Sequence, residues 1–288
     1  MKERIHKVLA RAGVGSRRAI EKLISENRVQ VNGKLAKLGD ALGRGDSVRV
    51  DGKPVKVETA FTQYRRVIAY HKPEGEVCTA SDPEGRPTVF DRLPEPGQGR
   101  WIMVGRLDVN TAGLLLFTTD GELAHRLMHP SSGVDREYAV RVKGQVDDDM
   151  IARLKAGVEL EDGVAKFTDI QKSVSEGDGS NQWYYCVLME GRHREARRLW
   201  ESQGPIVSRL RRVRYGCIFL PKRLRSGRWE ELDQRAVNDL ADLVGVERKE
   251  VPQKTPDQRI KEKRVIGKRV NPAKIRPRRT QGRTKPRS

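Results

Sequence analysis

Gly105-Arg106-Leu107-Asp108-Val109-Asn110-Thr111-Ala112-Gly113-Leu114-Leu115-Leu116 is the stretch on which the reading of this 288-residue chain turns. It sets an acid and a base between two apolar strands, Trp101 to Val104 before it and the continuous run Leu114 to Thr118 after it. Asp120 then opens a helical pattern over Gly121 to Met128. A lone carboxylate on a strand connection more often serves a turn or a cap than a reaction, so the surroundings must decide its role.

Outward from that stretch, Val67 to Tyr70 is a short apolar strand, Tyr138 to Val142 alternates, and Gln182 to Met189 reads as another strand. Helical patterns fall at about Met150 to Ala156, at Arg194 to Glu201, and at Asp233 to Val244 before Gly245. Strands dominate and helices interrupt them irregularly. The fold class expected is α+β, with a largely antiparallel mixed sheet and flanking helices rather than a doubly wound parallel one. No GxGxxG, GxxxxGK[ST] or GxSxG motif occurs, which removes support for dinucleotide, P-loop and hydrolase readings.

Charge divides the chain into three. Residues 1–60 carry 14 basic and 7 acidic side chains, residues 61–250 carry 30 of each, and residues 251–288 carry 14 and 2. The overall +19 therefore sits at the two ends and points to a polyanion, either nucleic acid or an anionic membrane surface. No stretch approaches the ~20 apolar residues of a membrane span, and the N-terminus lacks a signal core, so a cytoplasmic protein is expected. Cys78, Cys186 and Cys217 have no paired spacing and read as reduced packing residues. The last segment, 251–288, has five prolines and no aromatic residue. It is expected to be disordered, acting as an electrostatic arm rather than only a solubilising tail.

Within the first sixty residues, Ile5, Val8, Leu9 and Ala12 mark one helical stripe, with Arg4, Lys7 and Arg11 on the adjacent one. Gly13 and Gly15 break that helix, Ser16 caps a second, and Ala19, Ile20, Leu23 and Ile24 form its apolar face behind Arg17, Arg18 and Lys22. Val29-Gln30-Val31 enters an Asn32-Gly33 turn, and Val48-Arg49-Val50 meets Asp51-Gly52 in the same way. Residues 51–66 read as a linker. By spacing alone, a solvated basic face and an RNA-binding face are equally good readings. The run AGVGSRRAIEKLISENRVQVNG resembles the S4 RNA-binding domain, which implies that Arg4, Lys7, Arg11, Arg17, Arg18 and Lys22 contact structured RNA. Such contacts to phosphate tether and orient without reading sequence.

The spacing GRLDxxTxGLLLxTxDG resembles the signature of pseudouridine synthases, in the branch that modifies ribosomal RNA and carries an S4 domain in front. The resemblance implies that Asp108 is the essential aspartate. It implies that Tyr138, in Arg136-Glu137-Tyr138-Ala139-Val140, stacks on the target base, and that Arg197, in Glu190-Gly191-Arg192-His193-Arg194-Glu195-Ala196-Arg197-Arg198, forms an ion pair with Asp108. Tyr70-His71-Lys72-Pro73-Glu74-Gly75 resembles an early motif with a mainly structural role. Taken singly, Tyr138 is an ordinary half-buried sheet tyrosine and Arg197 a solvated helix charge; it is their order with Asp108 and the S4-like module that carries the resemblance. Glu195 stands where the family often has glutamine, but two residues from Arg197 on a helix it points elsewhere.

The reaction so implied isomerises uridine to pseudouridine within ribosomal RNA, in a large-subunit stem-loop or a pre-ribosomal particle. The target base is flipped out, Arg106 fills the space it leaves, and Asp108 acts as nucleophile or base. Arg209 and Arg211, in the strand Ser208 to Tyr215, are expected along the RNA backbone near the pocket. No cofactor and no metal is implied; His125 and His129 share a helix face but have no third ligand and no HExxH frame. The expected organisation is an RNA-binding domain with linker over 1–60, a catalytic domain over 61–250 and the tail, acting as a monomer. Two rivals are a non-catalytic RNA-binding or ribosome-assembly factor and an RNA glycosidase, the latter normally needing paired carboxylates.

Overall fold

The computed structural model describes residues 2–61, 64–173 and 181–253; the basic tail expected to be disordered lies outside the described residues from 254 onward. After a short strand β1 (Glu3–Arg4), helix α1 (Ile5–Arg11) buries Ile5, Val8 and Leu9, the stripe its spacing sets. Gly13, at φ +86°, turns the chain out of it. Helix α2 (Arg17–Ser25) starts where the Ser16 hydroxyl accepts a hydrogen bond from the Ala19 N–H at 3.1 Å, and it buries Ile20 and Ile24. Ala19, expected on that apolar face, is exposed, because it lies roughly 100° round the helix from Ile20.

Strands β2 (Val29–Val31) and β3 (Lys34–Leu35) form a hairpin around Asn32 and Gly33, both at positive φ, as a two-residue turn of this chemistry requires. Strand β4 (Ala41–Leu42) pairs with β1, while β5 (Val48–Val50) turns through Asp51-Gly52 into β6 (Lys53–Val55). The region 51–66 is therefore not a linker throughout. Strand β6 extends the small sheet, and Val57 and Ala60, beside and within helix α3 (Glu58–Phe61), are buried in the module's core. Its mixed polarity reflects one side packed and the other in water.

The second domain begins with β7 (Val67–Lys72), β8 (Ile102–Val104) and β9 (Ala112–Thr118), followed by helix α4 (Gly121–Met128), capped by the Asp120 carboxylate on the N–H groups of Glu122 and Leu123. Strand β10 (Arg136–Lys143) and helix α5 (Asp148–Ala156) lead into the hairpin of β11 (Val158–Leu160) and β12 (Gly163–Ala165). Then come β13 (Asp169–Lys172), β14 (Asn181–Leu188), α6 (Glu195–Glu201), β15 (Ile206–Tyr215), β16 (Ile218–Phe219), β17 (Trp229–Glu231) and α7 (Gln234–Leu243). The main sheet runs β13-β14-β10-β15-β9-β7-β17, with β16 on β15 and β8 on β9. Every described pairing in it is antiparallel except β15 with β9, which holds the α+β expectation.

That parallel seam consists of two register pairs, Arg211 with Ala112 and Arg212 with Gly113. Gly113 sits at φ +110°, and a Cβ on it would fall 2.2 Å from the Arg212 carbonyl oxygen, so only glycine lets the strands meet. On one face of the sheet, Val140, Tyr184, Cys186 and Leu210 pack beneath α5 and α6, and Tyr70, Leu115 and Phe117 pack with Trp101 and Leu107. Tyr138 touches both clusters and stands over the seam. On the rear, α4 and α7 cover Ala69, Leu114 and Leu116. Arg65 and Lys249 both reach Asp120, at 2.8 and 2.9 Å, and tie the domain's two ends to the cap of α4.

Candidate active site

The connection from β8 to β9 is a tight turn in which the Thr111 N–H donates to the Asp108 carbonyl at 3.0 Å. Lys72, wholly buried at the end of β7, holds that turn from beneath. Its ammonium donates to the carbonyl oxygens of Asp108 (3.0 Å), Thr111 (2.9 Å) and Pro73 (3.0 Å), and more weakly to Val109 (3.4 Å). Burial draws the Lys72 pKa below its usual value against the opposing pull of Cys78, Glu76 and Asp108. The turn is thus fixed by backbone acceptors, which leaves the half-buried Asp108 side chain at the wall of a cleft of about 1240 Å³.

Tyr138 from β10 lines the same cleft, as do Arg106 on its exposed rim, Glu195, and two arginines from the neighbouring strands β10 and β15, Arg136 and Arg212. The last two both lie over the Tyr215 ring, their guanidinium carbons 5.2 and 5.1 Å from its centroid. Arg136 donates to the Met189 carbonyl and Arg212 to that of Leu114, both at 2.8 Å, and neither has a carboxylate partner among the described residues. The sequence reading missed both as members of the site. Their signal was a charge placed in the inward phase of an alternating strand, where apolar residues belong. Lys72 gave a similar signal at the end of the apolar strand Val67–Lys72.

Arg197 is buried on α6, but it does not form the expected ion pair with Asp108. One terminal nitrogen donates to the Val207 carbonyl at 2.8 Å and the other to that of Asn110 at 2.9 Å, leaving Nε buried without an acceptor. The guanidinium therefore bridges β15 to the back of the Asp108 turn, where two carbonyl oxygens lie closer than the carboxylate. Burial lowers its pKa, Arg194 adds to that, and Asp108 counters it through space. Glu195 points away from Arg197 and accepts the Arg192 N–H at 3.1 Å; burial raises its pKa.

Arg209 and Arg211 do not lie near the cleft. In β15 Leu210 and Arg212 share the buried phase, and a register shift between Val207 and Arg209 brings Val207 into it as well, so Arg209 and Arg211 emerge on the opposite face of the sheet. In the N-terminal module, Arg4 donates to the Gly39 carbonyl and Arg11 pairs with Glu3 at 2.7 Å. Lys22 lies 3.8 Å from Glu26, and Lys7, Arg17 and Arg18 are exposed with no ion pair among the described residues. The rings of His125 and His129 lie with centroids 5.4 Å apart at a tilt of 47°, and no group of three or more ligand-type side chains that could hold a metal occurs among the described residues.

An acidic turn over a cationic cleft, on a mixed sheet behind a small two-helix module, defines a class, and comparison with known proteins agrees. The profile of the RNA pseudouridylate synthases matches residues 66–202 and that of the S4 domain matches residues 3–48; the chain belongs to the RNA pseudouridylate synthase family. It is 60% identical over 257 residues to the ribosomal large subunit pseudouridine synthase B of Escherichia coli strain K12, covering 88% of this chain and 86% of that one. The protein of the same name from Pseudomonas aeruginosa is 60% identical over 253 residues; the match covers 88% of this chain and 65% of that longer relative. Among solved structures, a pseudouridylate synthase crystal structure superposes with a TM-score of 0.57 at 25% identity, covering 82% of this chain and 99% of that one. No helix among the described residues is long and apolar enough to cross a membrane.

Proposed function

We propose that this protein isomerises a uridine of large-subunit ribosomal RNA to pseudouridine, acting in the cytoplasm as a monomer. The observation that carries the reading is the Asp108 turn, locked from behind by Lys72 and Arg197 and presented to a cleft lined by arginines. A polyanion is drawn to such a cleft, and a rigid carboxylate inside it meets the sugar of whatever nucleotide enters.

The target uridine leaves its stack at a cost of a few kcal/mol, least in a loop or bulge. Arg106, planar and exposed on the rim, occupies the space it vacates. The uracil stacks on Tyr138. Asp108 serves as nucleophile or base towards the ribose while the C1′–N1 bond breaks; the uracil turns, C5 bonds to C1′, and the proton lost from C5 is balanced by one gained at N1. No atom is added and no redox change occurs, so the reaction itself calls for no cofactor. Arg197 acts as a positioning residue for the turn rather than as a direct partner of the carboxylate.

Product analysis of a large-subunit ribosomal RNA fragment after incubation with the protein tests this. Pseudouridine at a discrete uridine is the expected result. Release of free uracil would instead identify a glycosidase, and binding with unchanged RNA would identify an assembly factor.

A further inference from the structure

The rear of the sheet is covered only in part: α4 and α7 pack behind β7 and β9, whereas β13, β14, β10 and β15 present a second face to solvent. Inward residues of these strands, Ile170, Tyr184, Cys186, Val140, Val142 and Leu210, belong to the core under α5 and α6. Their neighbours in sequence therefore point the other way. Trp183 stands opposite Arg141 across the ladder, Tyr185 opposite Ala139, and Ala139 opposite Arg211, with Arg141 opposite Arg209. Two aromatic rings and three guanidinium groups thus form one patch.

An antiparallel sheet commonly has a solvated face, but among the described residues the cations here are unbalanced. Arg141, Arg209 and Arg211 have no carboxylate within ion-pair distance among the described residues, and Arg141 Nε is buried without an acceptor. The two acids of these strands among the described residues are engaged elsewhere: Glu137 with Arg214 at 2.8 Å, and Asp169 with Lys155 at 3.3 Å. Of the domain's other arginines, Arg86, Arg192, Arg198 and Arg248 each have an acid beside them, whereas the exposed Arg106, Arg126, Arg225 and Arg235 have none among the described residues.

We propose that this face is a second RNA-contact surface, separate from the cleft, which takes a single-stranded segment flanking the modified stem-loop. Bases stack on Tyr185 and Trp183, and phosphates meet Arg141, Arg209 and Arg211, the combination by which sheets hold single strands without reading sequence. Double-stranded RNA fits less well, since its bases are not available to the rings. The inference rests on the proposed action on RNA.

Two ribosomal RNA fragments test it, one a minimal stem-loop and one carrying a single-stranded flank. Arg209→Gln with Arg211→Gln, and separately Tyr185→Ala, all at exposed positions, are compared with wild type. For the flanked fragment, Tyr185→Ala weakens binding between about fivefold and a hundredfold. The double arginine variant lowers the salt slope by about 0.7 for each phosphate it no longer neutralises. The minimal stem-loop binds every variant equally, and turnover at saturating RNA is unchanged. Wild-type affinity and salt slope of both variants on the flanked fragment would overturn the proposal. So would a loss seen only with protein-containing ribosomal particles, which would make the face a protein-docking surface. If wild type made no pseudouridine while the variants still lost affinity for the flank, the proposed reaction would fall and the surface would stand.

Discussion

The N-terminal module and the catalytic domain use the same side chain in opposite ways. In the module, Arg17 and Arg18 stand in water on the first turn of α2, where their charge acts at a distance and is screened by salt. In the catalytic domain, Arg65, Arg136, Arg197 and Arg212 are buried, and three of them donate to main-chain carbonyl oxygens. There the guanidinium is a planar framework of donors, and losing it strands its acceptors. Net charge locates the first kind of arginine. The second kind leaves no trace in it, because residues 61–250 balance to zero.

The contrast breaks first at the site itself. Asp108→Asn keeps shape and removes charge, so single-turnover pseudouridine formation should fall by about 10⁴-fold or more while the fragment still binds. Turnover near that of wild type would remove Asp108 from the reaction. Next comes the hidden scaffold: Lys72→Met leaves four carbonyl oxygens without their donor and should lower stability by about 2–4 kcal/mol in urea unfolding. A neutral result would mean that the turn holds itself.

Asp120 sharpens the comparison through pH. Burial works to raise its pKa, but the hydrogen bonds and charges of Lys249 and Arg65 override it and hold the carboxyl at about 2, below the ordinary 3.8. A depressed carboxyl stabilises fully above its unfolded value and loses that stabilisation, about 2 kcal/mol, as pH falls from about 4 through about 2. Thermal unfolding of Asp120→Asn should therefore show less acid dependence than wild type across that window, and equal slopes would discount the network. The smallest effect belongs to the exposed cations. Arg17→Gln with Arg18→Gln should reduce the salt slope of RNA binding by roughly 0.7 to 0.9 for each phosphate left without its cation. Stability should stay within about 0.5 kcal/mol of wild type. A larger loss of stability would place these arginines among the scaffold after all.

Much of this was legible from local chemistry. Asp120 as a helix start, the Asn32-Gly33 and Asp51-Gly52 turns and the alternation through Tyr138 to Val142 each follow from one residue's conformational limits or a simple period. Strand β10 ran further than its apolar core because Arg136 occupies an inward position, and a charge there hides a strand end. The placement of Arg209 and Arg211 needed parity along β15, and parity is disturbed by the register shifts between β10 and β15 on either side of that stretch. The partner of Arg197 was out of reach for a different reason. It depends on where two carbonyl groups from distant segments come to rest, and main-chain oxygens have no signature in sequence.

The short parallel seam governs timing. Arg212 and Leu114, hydrogen-bonded across it, are 98 residues apart in the chain, so the seam closes only after a long loop has been drawn in. Hairpins such as β5 with β6 and β11 with β12 form without it, whereas the Asp108 turn and the Arg197 helix come together across it. During refolding from urea, sheet signal in circular dichroism should consequently appear before catalytic competence returns, and the newborn chain should pass through a stage that has most of its strands and no active site.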